Sequence, residues 1–304
     1  MPNGAEPAFR FGYNTNGLAH HRPTDALRVL AALGYRGVAL TPDVGQLDPY
    51  RLDAREVREV RALADELSLA LAVEAGARFV LDPFHKHAPN LCDPGAAERG
   101  RRVDFYRRCI DLAVDLGAPL VSLWAGAAPG GVTLDPGPTL ERALGSRSGD
   151  GARVFDRLVE GLGRVLQHAE AAGITVAFEP EPGMFIERPA GYALLRDALQ
   201  AAGHALALTL DVGHCVVTGD LPVRSVALSY AADLAHVHLA DCPPGLHEHR
   251  MFGRGGLDLE DALEGLRAAD FRGLAAVELS RDAHRGPAAA AEALEHLRRI
   301  TTIS

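Results

Sequence analysis

Short apolar runs alternate along the chain with longer stretches whose apolar positions recur at helical spacing, and this alternation predicts the elements in order. Phe9 to Tyr13 predicts a first strand and Pro23 to Leu33 a helix, with Thr24 and Asp25 among its first residues. GVALTP at 37–42 reads as the second strand and about Asp53 to Leu67 as a charged amphipathic helix. LALAVEAGA at 69–77 reads as a strand, Arg102 to Leu116 as a helix, and PLVSLWAG at 119–126 as the fourth strand. A loop rich in Gly and Pro then runs to about Gly151, longer than connections usually are and of the kind that forms a lid. A helix from about Phe155 to Ala172 leads to strands beginning at Thr175, Leu206 and Leu234, with helical segments near 190–202 and 222–232 between them. A helix at 259–269, LAAVELS at 274–280 as the eighth strand and a helix at 287–300 complete the series.

Eight strand-helix units in 304 residues, with no break in composition between halves, predict one (β/α)8 TIM-barrel domain over 1–304 with a lid loop at 126–151. A doubly wound open sheet is the competing architecture, but no G-x-G-x-x-G opens a helix after the first strand. Three of the runs, TVAFEPEPG, LALTLDVGH and LAHVHLADC, stop at carboxylates or imidazoles that a buried strand does not tolerate without a partner. Side chains two apart share a face of a strand. Thr175, Ala177 and Glu179 therefore point together, as do Ala207, Thr209 and Asp211, then Leu234, His236 and His238, and finally Leu274, Ala276 and Glu278. In a barrel the C-terminal ends of all strands open on one face, so Glu179, Asp211, His238 and Glu278 are expected to converge there. Three ionised carboxylates do not crowd together without a cation, and one imidazole among them suits Mn²⁺, Zn²⁺, Co²⁺ or Mg²⁺, so one divalent metal ion is expected. Glu181 shares the face of Glu179 and is the alternative first ligand.

Composition narrows the partners. The formal net charge of −9 offers no general attraction to phosphate backbones, so no nucleic-acid partner is expected. No apolar run approaches the roughly 20 residues that a membrane helix needs. Cys92, Cys109, Cys215 and Cys242 have no C-x-x-C spacing, and the first residues lack the pattern of a signal peptide, which together lead to the expectation of a soluble, reducing, cytoplasmic setting. A homo-oligomer is compatible with all of this. Of the 31 Lys and Arg residues, Lys86 is the single lysine, which suggests a need for a compact, rotatable ammonium at that point. It lies between His85 and His87 on the loop after the third strand, on the face where the site is expected, and is taken as a group that bonds a substrate oxygen.

Four motifs recur in order in the second half: E-P at Glu179, D-x-x-H at Asp211 to His214, H-x-H at His236 to His238, and G-x-G-x-x-D at Gly253 to Asp258. With them the chain resembles the xylose isomerase-like superfamily, which includes sugar isomerases, ketose 3-epimerases, inosose-type dehydratases and abasic-site endonucleases. The resemblance covers most of the barrel and is specific mainly after residue 175. It implies Glu179, Asp211, His238 and Glu278 as ligands of a single metal and His214 as an imidazole contacting substrate oxygen. In the epimerase branch the two metal-bound glutamates are also the acid/base pair, here Glu179 and Glu278, acting through a metal-stabilised enediolate of a sugar or cyclitol.

The remaining polar groups are read around that centre. His236 is expected to orient the site by hydrogen bonds, and Trp124, the one tryptophan, either stacks a sugar ring or plugs the barrel. His247, His249 and Arg250 are expected to line the substrate end together with His85, His87 and Glu181. The endonucleases carry a D-x-H pair where this chain has His247 and His249, which leaves a second metal open, but they also take histidines from strands two and three, where this chain has LTPD and VEAGA. The loop from Arg78 to Leu91 resembles one in less characterised members of the superfamily. A metal-dependent isomerase or epimerase of a sugar or cyclitol is the reading these residues favour. A ketocyclitol dehydratase on the same site, an abasic-site nuclease and a binding protein without turnover are the alternatives.

Overall fold

The computed structural model describes residues 9–76, 78–134 and 149–303. Eight strands close in sequence order into a barrel: β1 (Arg10–Asn14), β2 (Gly37–Leu40), β3 (Ala70–Glu74), β4 (Leu120–Leu123), β5 (Thr175–Phe178), β6 (Ala207–Asp211), β7 (Leu234–Leu239) and β8 (Leu274–Val277). The helices are α1 (Pro23–Leu33), α2 (Ala54–Glu66), α3 (Ala96–Leu116), α4 (Asp150–Ala172), α5 (Pro189–Ala201), α6 (Val212–Thr218), α7 (Val223–Ser229), α8 (Leu259–Ala268) and α9 (Gly286–Ile303). The architecture is the (β/α)8 TIM barrel that the alternation predicts. Strands this short, buried on both faces and almost wholly apolar, are what a parallel sheet covered by helices requires.

Helix ends reflect local chemistry. α1 opens on Pro23, whose missing N–H is no loss at a first helical position, and closes on Gly34 in the left-handed region. α3 and α4 close in the same way on Gly117 and Gly173. Two helices start earlier than their apolar periodicity suggests, α3 at Ala96 and α4 at Asp150, because the polar first turns of amphipathic helices carry little apolar signal. The eighth strand is shorter than expected: Ser280–Arg285 forms a 3-10 turn where LAAVELS suggests continuing strand. α6, directly after β6, lies in a stretch that the sequence marks only by its D-x-x-H motif. Residues 135–148, most of the expected lid, lie outside the described residues.

Two compact units are distinguished, one of residues 1–40, 58–72 and 210–304 and one of residues 41–57 and 73–209. In the first, β7 and β8 pair in parallel with His238 opposite Ala276 and Leu239 opposite Val277, and β8 pairs with β1 through Ala276 and Gly12. In the second, β4 and β5 pair with Leu123 opposite Phe178, and inside that unit Ser122 Oγ and Thr209 Oγ1 share a hydrogen bond of 2.9 Å. These registers determine where the two glutamates emerge. Glu179 N–H donates to Leu123 O at 2.8 Å and Glu278 N–H to Leu239 O at 3.0 Å, so both leave the sheet directly after its last paired residue. Among the described residues no helix is long and apolar enough to cross a membrane.

Candidate metal centre

Asp211 ends β6 and at the same time caps α6, its Oδ1 accepting the His214 N–H at 2.8 Å. The cap fixes the carboxylate and leaves Oδ2, which is buried and has no hydrogen-bond partner. Gly213 makes this turn feasible, since a Cβ there would come within 2.9 Å of Ala240 O and of Cys242 Sγ. His238, on β7, brings Nδ1 to 3.1 Å from Glu278 Oε2 and 3.9 Å from Asp211 Oδ2. Glu278 is held from its other oxygen by Asn16, whose Nδ2 donates to Oε1 at 2.7 Å. Asn16 sits in the 3-10 turn Thr15–Leu18 after β1, and its own N–H is taken by Asn14 Oδ1 at 3.0 Å, which anchors the backbone from which the side chain extends.

Within the first unit, Asp211, His238 and Glu278 each offer a ligand atom within 4.8 Å of the others. These three side chains, and that of Glu179 in the second unit, are buried or nearly so. Two carboxylates and one imidazole at this separation form a donor set rich in oxygen, and the buried, unpartnered Asp211 Oδ2 is an oxygen that a cation would satisfy. The field is negative enough to be felt by a neighbour: the Cys242 thiol is pushed well above its usual value, first by burial and then by the charge of Asp211.

Beside Asp211 stands a second group. His214, His247 and His249 also place ligand atoms within 4.8 Å of one another. His214 and His249 are buried and His247 half-buried. The His249 Nε2 lies 3.2 Å from His214 Nε2 and 3.3 Å from His247 Nε2. The loop that carries His247 and His249 is tied down by Asp241, whose two carboxylate oxygens accept the Gly255 N–H at 2.7 Å and the Leu257 N–H at 2.9 Å. Gly255 packs so closely on Asp241 and on the Cys242 carbonyl that no Cβ fits there, which gives the G-x-G-x-x-D motif its second glycine a reason.

Residues 27–300 match the model of the xylose isomerase-like TIM barrel family. The chain belongs to that family. Similar solved structures include D-allulose 3-epimerase from Methylomonas sp., 15% identical with a TM-score of 0.72, covering 97% of this chain and 98% of that one. Another is an L-ribulose 3-epimerase, 16% identical with a TM-score of 0.71, covering 96% of this chain and 94% of that one. A third is the 3-keto-D-glucoside 4-epimerase of E. coli, 18% identical with a TM-score of 0.71, covering 96% of this chain and 99% of that one. At such identity these likenesses show the fold alone. No curated protein matches the chain.

Within the fold of this family, the loop after β3 carries His85, Lys86 and His87. His87 has a left-handed backbone, with φ of 65°. Its Nδ1 is 3.0 Å from Gly76 O, and its ring meets Trp124 edge-on with centroids 4.9 Å apart. The contact with a carbonyl fixes the tautomer, with the proton on Nδ1 and a lone pair on Nε2. Burial and then the charge of Lys86 lower its pKa to about 4, so the ring is neutral at neutral pH. His85 is exposed and bonded to Asp82, its Nδ1 3.2 Å from Oδ2, and Lys86 is exposed beside it. Arg250 is engaged by Glu248, with Nη2 donating to Oε2 at 2.6 Å. Trp124 is buried, and its carbonyl accepts the Tyr106 hydroxyl at 2.8 Å. His236 is buried with its ring edge-on to His238, centroids 5.0 Å apart.

Three residues escape a reading of the sequence. Asn16 is separated from Glu278 by 262 positions, and nothing local marks it. Asp241 has a signal in retrospect, an acid three residues after H-x-H with a Gly-rich segment beyond it. Arg102 is wholly buried in α3, donating from Nε to Pro89 O at 2.7 Å and from Nη2 to His87 O at 2.6 Å, with its guanidinium carbon 5.0 Å from the Trp124 ring centre. It stands as one arginine among many in RGRRVDFYRR, so its burial is invisible until the helix is placed.

Proposed function

We propose that this member of the family is a divalent-metal-dependent isomerase or epimerase of a sugar or cyclitol, acting by proton transfer at a carbon next to a carbonyl. The observation that carries the reading is the meeting of Asp211, His238 and Glu278, with an unpartnered Asp211 oxygen among them, to which the sequence adds Glu179 as the fourth expected ligand. These four would hold the ion, which when bound acts as a Lewis acid on a carbonyl and neighbouring hydroxyl and makes the adjacent C–H more acidic. Glu179 and Glu278 are assigned as base and acid on opposite sides of a substrate carbon. One takes the proton as the C–H electron pair moves into the carbonyl, and the other returns a proton to the opposite face as the carbonyl reforms. Asn16 keeps Glu278 Oε1 engaged, which leaves Oε2, 3.1 Å from His238 Nδ1, for that transfer. His214, His87 and Lys86 are assigned to substrate oxygens, and Trp124 to the wall beside them. Burial of the four ligands supports exclusion of water from the reacting carbon.

The similar structures named as sugar 3- and 4-epimerases support the substrate class. The test is incubation in deuterium oxide with free ketohexoses, 3-ketoglycosides and ketocyclitols, with NMR as the readout. Deuterium entering the carbon beside the carbonyl, with an epimer or aldose appearing, is the expected result. Exchange accompanied by loss of a hydroxyl would make the protein a dehydratase, and no exchange with any of these compounds by metal-loaded protein would remove the reading.

A further inference from the structure

We propose, resting on the isomerase or epimerase reading above, that His87 is a specificity residue: its Nε2 accepts a hydrogen bond from a free hydroxyl of the sugar or cyclitol. The substrate is then unphosphorylated at that hydroxyl.

The place of the ring follows from contacts inside the second unit. Glu179 N–H bonds Leu123 O at 2.8 Å, and the next residue, Trp124, meets the His87 ring edge-on with centroids 4.9 Å apart. One aromatic ring therefore separates His87 from the strand end that pairs with Glu179. The His87 backbone is left-handed, with φ of 65°, a conformation that is costly for a residue with a side chain and persists only where the surroundings enforce it. Here they do. Arg102 donates from Nη2 to His87 O at 2.6 Å and from Nε to Pro89 O at 2.7 Å, and the His87 N–H donates to Arg78 O at 2.7 Å. The Arg102 guanidinium carbon is also 5.0 Å from the Trp124 ring centre, so one wholly buried side chain braces both the loop and the ring that His87 touches.

Held in this way, the imidazole has one hydrogen-bonding atom left. Nδ1 lies 3.0 Å from Gly76 O, and a carbonyl only accepts, so Nδ1 carries the proton and Nε2 a lone pair. Nε2 has no hydrogen-bond partner among the described residues. Protonation, which would turn Nε2 into a donor suited to an anion, is opposed by burial and by the charges of Lys86, Arg102 and Arg78. A fixed acceptor discriminates by what it cannot bond. A hydroxyl donates to it, whereas a phosphate dianion, a carboxylate or a carbonyl sets lone pair against lone pair.

Trp124 is the one tryptophan of the chain, so its emission reports binding beside His87 without turnover. Metal-loaded protein is titrated with free ketohexoses, 3-ketoglycosides and ketocyclitols, and then with monodeoxy and monophosphate derivatives of the tightest binder. Kd is read from emission and from calorimetry in parallel. His87→Asn tolerates the left-handed backbone but is too short to place an acceptor where Nε2 lies, and His87→Gln restores one at that reach. Circular dichroism checks the folding of both. His87→Asn is expected to weaken binding about 10-fold and His87→Gln to recover part of the loss. One monodeoxy derivative should bind wild type about 10-fold more weakly than its parent and bind His87→Asn no more weakly, which marks the hydroxyl that His87 holds. Phosphate on that same hydroxyl should abolish binding to wild type. An unchanged Kd in His87→Asn, or a loss to which no single hydroxyl is coupled, would overturn the proposal and leave the sugar reading in place. No binding of any parent compound, by emission or by calorimetry, would remove that reading and the role of His87 with it.

Discussion

Glu278 is the residue on which the proposed chemistry turns, and the hydrogen bond from Asn16 is what keeps its carboxylate from rotating. Removing that donor leaves the four ligand groups in place but frees an oxygen that should stay engaged. Asn16→Ala is therefore expected to lower kcat/KM about 10-fold, or about 1.4 kcal/mol, while bound metal per chain stays as in wild type. A loss of metal in parallel would show that Asn16 supports the ligand set instead of the proton transfer. Lys86 offers a different kind of test because it is exposed and its replacement disturbs no packing. Lys86→Arg keeps the charge and changes the reach and the hydrogen-bond geometry. If the ammonium bonds a substrate oxygen, kcat/KM on the true substrate should fall by at least ~10-fold with folding and metal content intact. Wild-type kinetics in this variant would leave the lone lysine without a role in turnover.

At the scale of elements, α3 is the support of the β3 loop. Arg102 reaches from its buried face to the carbonyls of His87 and Pro89, and desolvation pulls its pKa below the ordinary guanidinium value. Arg102→Met keeps much of the volume but strands two buried carbonyls, so unfolding free energy should drop by about 3 kcal/mol in urea titrations. His87, held at the end of this anchor, adds a pH signature. Its ordinary pKa of 6.5 falls to about 4 in the fold, so between these values the unfolded chain binds a proton that the folded chain refuses. Stability should fall as pH drops through that window. His87→Gln should remove part of the fall, about 2 kcal/mol at most after allowing for the partial exposure of the ring. An acid limb identical in both proteins would show that His87 is not the group responsible. The strand ends were legible in the sequence because a carboxylate or imidazole closing an apolar run is costly and therefore conspicuous, as at Asp211 and His238. Arg102 and Asn16 were not legible, because their burial and their partners are set by packing between distant segments.

For the molecule as a whole, the barrel could be read from alternation alone, since eight strand-helix units leave few ways to close a sheet. What the chain acts on is a matter of charge and shape together. A −9 formal charge repels a phosphate backbone at long range, and association with duplex DNA has to be won by local basic groups. Three arginines of the first unit are already engaged by carboxylates: Arg250 binds Glu248, Arg281 approaches Glu248 at 3.7 Å, and Arg285 bonds Asp282 and Glu292 at 2.8 and 2.9 Å. A phosphate would have to displace a carboxylate from each of them. Purified, metal-loaded protein is therefore expected to leave an abasic duplex uncut and to bind it weakly, with binding that fades as salt rises from about 50 to about 200 mM. The control is the same preparation acting on its sugar substrate. Incision of the duplex at enzyme-like turnover, abolished by Glu278→Gln, would mean that the carboxylate centre serves phosphodiester hydrolysis, and the assignment to sugar chemistry would fall.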